Sequence, residues 1–169
     1  MNAPSPPAPP LSALPAPAEG PAGVDGWLAL LVISLLVGGP MIGASKLYEA
    51  FVVAERAHPD LVFLPAWETY KTLSWVTFAL VAAVSFYGGF GLGRGKRWAV
   101  VRRARYVLWL TGPVTVLVMN VLLPAIAFGG FTFGSTVVGP FLFSCAIAGL
   151  WTAYLAKSKR VRNTYGPPD

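Results

Sequence analysis

Charge is the scarcest commodity in this sequence. Asp, Glu, Lys and Arg make up 12% of its 169 residues, against roughly 25% in an ordinary soluble domain. The shortage is concentrated in four runs, about 26–45, 72–93, 106–128 and 136–156, and none of them holds an Asp, Glu, Lys, Arg or His. Each run reaches the ~20 residues a helix needs to cross ~30 Å of hydrocarbon. With no ionisable side chain inside them, the usual marker of a proton or ion path is missing.

Cysteine and histidine are nearly absent. The single cysteine, Cys145, lies in the last apolar run, which excludes an internal disulfide and a thiolate cluster. There it behaves as a small hydrophobe. The single histidine, His58, has Glu55 and Asp60 nearby. One nitrogen and two scattered carboxylates make a poor ligand set, so a solvated loop is expected and no metal. The sequence holds no G-x-S-x-G, no H-E-x-x-H and no Cys–His pair. The expectation is a protein that is not an enzyme and needs no cofactor.

The nearest approach to a phosphate loop is "GGFGLGRGKR" at 88–97. It fails in detail, because Phe90 stands where the first glycine belongs and Arg97 follows Lys96 where Ser or Thr is needed. Gly89 and Gly93 lie four apart, as do Gly91 and Gly95, a spacing that lets helices approach closely.

No Lys or Arg precedes Lys46, so the basic front of a signal peptide is missing and an uncleaved first helix is expected. Residues 1–25 contain eight prolines. Proline removes a backbone donor and fixes φ, so this segment is expected to be a disordered tail.

The first span, "GWLALLVISLLVGGPMIGAS", opens with Trp27 at headgroup level and is expected to kink at Pro40. Residues 46–71 form a slightly acidic loop, with Lys46, Arg56 and Lys71 against Glu49, Glu55, Asp60 and Glu68. Leu47, Phe51 and Ala54 recur at helical spacing in its first half. That pattern predicts a short amphipathic helix on the bilayer surface, stopped by Pro59. In the third span Asn120 has donors and an acceptor that hydrocarbon cannot satisfy. It is expected to face the bundle and bond across to Ser144, Ser85 or Thr77.

Basic residues are distributed very unevenly. Arg94, Lys96, Arg97, Arg102, Arg103 and Arg105 lie between the second and third spans, and Lys157, Lys159, Arg160 and Arg162 follow the fourth. Four spans put both groups and the N-terminus on one face. Positive residues stay inside, so both termini are expected in the cytoplasm. The ten side chains are read as anchors for topology and for anionic lipid headgroups, and nucleic acid is set aside as a partner.

Two stretches resemble a known family. "GWLALLVISLLVGGP" at 26–40 and "YLAKSKRVRNTY" at 154–165 are similar to the opening and closing signatures of the bacterial domain-of-unknown-function family 2569, made of small integral membrane proteins. The closing signature, an aromatic followed by Ser-Lys-Arg-Val and Thr-Tyr, is the more specific. The resemblance implies four spans, a bacterial inner-membrane location and no assigned activity, and it transfers no catalytic residue.

The expected architecture is all-α: a four-helix transmembrane bundle over 26–156, a short amphipathic helix in its first outer loop, a disordered tail over 1–25 and a basic tail over 157–169. The expected role is a non-enzymatic accessory or assembly partner of another membrane protein. The alternative is a small oligomeric transporter or channel subunit, a homo-oligomer with Asn120 in its polar path.

Overall fold

The computed structural model describes residues 22–130 and 135–166. The predicted disordered tail lies outside the described residues as far as residue 21, as do most of the loop at 131–134 and the last three residues. Among the described residues there is no strand. Four helices are long and apolar enough to cross a membrane: α1 (Trp27–Ala57), α2 (Pro65–Arg94), α3 (Trp98–Phe128) and α4, which runs Ser135–Lys157. A short α5 (Lys159–Tyr165) follows. The chain is therefore built as a multi-pass membrane protein.

The spans differ from the sequence reading at three ends, one of them the start of α2, which lies at Pro65 and not near residue 72. α1 does not stop near residue 45. It runs for 31 residues, about 46 Å at 1.5 Å per residue, so its last turns outreach the hydrocarbon. The amphipathic helix expected over 46–57 forms, but as the continuation of α1 and not as a separate element. His58 caps it and Pro59–Phe63 turn as a 3-10 segment, so the stop at Pro59 is where it was expected. α3 likewise begins well before residue 106, because only Gly95, Lys96 and Arg97 separate it from α2.

α1 survives Pro40 through a π turn at Ser34–Gly38. The Gly39 amide there reaches back five residues to the Ser34 carbonyl. The next carbonyl, that of Leu35, would pair in the same register with residue 40, and proline has no N–H to give. The Ser85 hydroxyl on α2 donates to it instead, at 2.8 Å and in a buried setting. α3 repeats the device. In its π turn at Val118–Leu122 the Leu123 amide reaches Val118, the Met119 carbonyl faces Pro124, and the Tyr70 hydroxyl of α2 approaches it at 3.4 Å. Ser85→Ala is expected to cost about 1–3 kcal/mol by orphaning the Leu35 carbonyl. Pro40→Ala restores an amide at that place, so the same change on that background should cost far less in unfolding from micelles. Equal costs in the two backgrounds would refute the account.

α1 packs on α2, α2 on α3 and α3 on α4. Glycines set the closest of these approaches. A Cβ on Gly88 would meet Val107 of α3 at 2.8 Å, and one on Gly89 would meet Leu36 of α1 at 2.9 Å. Leu28, Leu31, Leu92, Val101, Ala104, Leu155 and Val161 are fully buried together. This core sits at the end of the bundle that carries both described chain ends. α5 closes it with Val161 and Tyr165, whose hydroxyl donates to the Leu92 carbonyl near the end of α2. The predicted basic tail is therefore a folded plug as far as residue 166. The Gly23 amide donates to Thr164 Oγ1 at 2.9 Å and ties the other chain end to the same plug.

At the opposite end Glu55 of α1 accepts from Trp67 Nε1 at 2.9 Å and from Lys71 Nζ at 3.0 Å, while Lys71 also pairs with Glu68 at 2.7 Å. Phe51 packs its ring edge-on against Trp67, Tyr70 and Trp75. This clasp joins α1 to α2 across the 3-10 turn.

Candidate functional site

Packing in the order α1, α2, α3, α4 leaves one edge open. α1 and α4 do not pack along their length, and an aromatic contact between them is the Trp27–Trp151 pair, with ring centroids 6.4 Å apart. Between them lies a cleft of about 280 Å³, floored by α2 and α3. Gly39, Pro40 and Gly43 line it from α1, Phe78, Ala82 and Ser85 from α2, Leu108, Thr111 and Thr115 from α3, and Ile147 and Trp151 from α4.

The π turns shape this cleft. One at Ser34–Gly38 lies in its α1 wall and one at Leu110–Val114, around Pro113, in its α3 wall. Most of the wall's hydroxyls are already engaged. Ser85 donates to Leu35 O at 2.8 Å, Thr111 to Val107 O at 2.9 Å and Thr115 to Leu110 O at 2.8 Å. The face shown to an occupant is therefore largely apolar despite the serines and threonines in it.

The second feature is the basic end. Arg94, Lys96, Arg97, Arg102, Arg103, Lys157, Lys159 and Arg162 are exposed there, and Arg105 and Arg160 are half-buried. The ion pairs found among the described residues, Lys46–Glu49, Lys71–Glu55 and Lys71–Glu68, all involve residues of the 46–71 segment. The ten basic residues use other contacts. The Arg94 guanidinium stacks 4.3 Å from the Phe90 ring centroid, and Arg103 donates to Tyr87 Oη at 3.3 Å. Arg162 reaches the Ala156 carbonyl at 3.5 Å, near the end of α4. Arg105 lies 5.9 Å from the Trp98 centroid, and its buried Nε has no partner among the described residues.

Asn120 needs a correction. Its Nδ2 donates to Val116 O of its own helix at 2.9 Å and its side chain is exposed, so the expected bond across to Ser144, Ser85 or Thr77 is not made. Nor does Asn120 line the cleft. It sits inside the π turn at Val118–Leu122, which turns it away from the bundle. Of the three expected partners, Ser85 is taken by Leu35 O and Ser144 bonds Phe141 O. His58 is exposed beside Pro59, and Cys145 is half-buried in α4. Among the described residues no group of three His, Cys, Asp or Glu side chains comes together. The cleft itself was not legible beforehand; the Gly38-Gly39-Pro40 and Gly112-Pro113 interruptions were its only signal.

A model of proteins of unknown function matches residues 21–166. The chain belongs to the DUF2569 family. No curated protein and no solved structure matches it. In this DUF2569 chain the residues that carried the resemblance are structural. The Gly39 amide closes the α1 π turn and Pro40 follows it, Ser158 begins α5, Val161 and Tyr165 fill the core, and Thr164 holds Gly23. The DUF2569 match thus spans both the cleft and the plug.

Proposed function

We propose that this chain is a multi-pass protein of the bacterial inner membrane, with both termini in the cytoplasm, and that it works as a non-enzymatic accessory or assembly partner of another membrane protein. The orientation rests on the ten basic residues gathered at one end, none of which has a carboxylate partner among the described residues. In the cytoplasmic leaflet anionic headgroups supply the missing counter-charge. The role rests on one observation about α4. Leu142, Ala146, Gly149 and Ala153 share a face of that helix, and a Cβ on Gly139 or Gly149 would meet nothing within 4 Å. Small residues uncovered by the chain's own helices suit close approach by a helix from elsewhere.

The monomer has room for a larger side chain at Gly149, which makes the test selective. Gly149→Leu is expected to leave folding unchanged and to abolish stoichiometric co-purification of a foreign membrane protein from mild detergent. In the same cells His58→Cys adds a thiol to a chain whose only other one, Cys145, is inside α4. An impermeant maleimide should label it from outside. Labelling only after lysis would reverse the orientation, and an unaltered partner with Gly149→Leu would remove α4 as the docking face. The transporter alternative needs Asn120 at an interface between copies, because in one chain it faces outward.

A further inference from the structure

The cleft between α1 and α4 does not end at mid-membrane. Trp151 lines both it and a second hollow of about 230 Å³ formed with Trp27, Leu150 and Tyr154. The two adjoin at the Trp151 ring, and an occupant lying along both would follow an apolar track from the middle of the bundle towards its basic end. Tryptophan and tyrosine of this kind settle at headgroup level, with the ring apolar and the polar atom wet. Charge gathers at the mouth. The Arg160 guanidinium lies against Gly26 at the start of α1, its Nη1 3.9 Å from where a Cβ would stand. Lys157 is one turn beyond Tyr154 on the same side of α4. Neither makes an ion pair among the described residues.

The occupant that fits is apolar and narrow over most of its length and anionic at one end. We propose that this track holds one acyl chain of an anionic phospholipid, with the phosphate against Arg160 and Lys157. A transmembrane helix suits it less, since the cytoplasmic ends of helices carry Lys and Arg and would leave Arg160 and Lys157 at the mouth without an anion. Water does not suit it either, because a buried water needs two to four polar partners and three of the wall's hydroxyls already donate to backbone carbonyls. On α4 the track uses Ile147, Leu150, Trp151 and Tyr154 and shares no residue with the proposed partner face, so the two can fail separately.

The test uses the full chain, equilibrated with vesicles of equal parts phosphatidylglycerol and phosphatidylcholine, extracted in mild detergent and weighed intact with its retained lipid. One phosphatidylglycerol per chain is expected, preferred over phosphatidylcholine by roughly tenfold or more given two basic residues at the surface. Lys157→Gln with Arg160→Gln should bring that preference close to one while a lipid is still retained. Ala82→Phe fills the hollow and should abolish retention of both lipids. A second measurement guards against misfolding of that variant. Phosphatidylglycerol brominated along its chains should quench the tryptophan emission of the wild type, and Trp151→Phe should remove more of the quenching than Trp75→Phe. Equal retention of the two lipids by the wild type, undiminished retention by a folded Ala82→Phe, or quenching indifferent to Trp151 would each overturn the proposal.

Discussion

Tyr165→Ala is expected to cost about 3–5 kcal/mol, the range for emptying a buried aromatic site, and to release α5 from the bundle. Tyr165 is 2% exposed and packs with Leu92, Val101, Val161 and the start of α1. Tyr165→Phe keeps that packing and removes the hydroxyl alone. It leaves the Leu92 carbonyl, in the last turn of α2, without a donor, at about 1–3 kcal/mol. Proteolysis of the detergent-solubilised chain after Arg160 or Arg162 reads the release directly. Rapid cleavage in the alanine variant and slow cleavage in the phenylalanine variant is the expected pattern. Equal resistance in all three would mean that α5 is not held by this residue.

The same phenol carries a pH signature. Burial first, and the neighbouring Tyr154 second, push the Tyr165 pKa up from 10.0 to about 12. Below pH 10 the folded and unfolded chains both hold the proton and the contribution is complete. As pH rises the unfolded chain gives up its proton first, so stability is lost across the interval from 10.0 to about 12. Thermal unfolding should therefore fall more steeply over that interval in the wild type than in Tyr165→Phe. Parallel curves would contradict a protonated, buried phenol.

Gly89→Leu is the second large effect. A Cβ there already stands 2.9 Å from Leu36 Cγ and 3.0 Å from Leu35 Cβ, and the latter belongs to the stiff part of α1. A full leucine forces α1 away from α2 and also pulls Leu35 from the Ser85 hydroxyl. The expected penalty is at least the 1–3 kcal/mol of an overpacked core, seen as loss of a monodisperse particle in size-exclusion chromatography. Gly93 gives the control. A Cβ on it would meet Val32 at 3.6 Å, an ordinary contact, so Gly93→Ala should be nearly neutral. If Gly93→Ala proved as damaging as Gly89→Leu, glycine spacing alone and not measured clearance would govern this interface.

This pair shows how far sequence pattern reached. Spacing by four marked Gly89 with Gly93 and Gly91 with Gly95 as a packing motif. It could not say that Gly89 meets α1 or that Gly88, outside the pattern, meets α3 at 2.8 Å. Spacing names a face of a helix, whereas the partner comes from how the helices are arranged around it.

Some properties were written in the sequence by itself. The number of spans, the helical class and the gathering of ten basic residues at one end follow from local sums: apolar length against bilayer thickness, and charge per connecting segment. Hydrocarbon penalises each charge or unpaired amide wherever the helix happens to face, so these sums need no knowledge of neighbours. Direction was a different matter. A π turn adds a residue to the turn and rotates everything after it by about 100° relative to an unbroken α-helix. α3 contains two such turns, at Leu110–Val114 and Val118–Leu122. Asn120 points outward and donates to Val116 O of its own helix, where the polarity of its side chain alone had it facing inward. The tertiary structure alone decided which hydroxyl serves which proline-orphaned carbonyl, that the C-terminal basic stretch folds back as a plug, and that the edge between α1 and α4 stays open. Each of these is a pairing between residues far apart in the chain, and only the packed bundle brings them within reach.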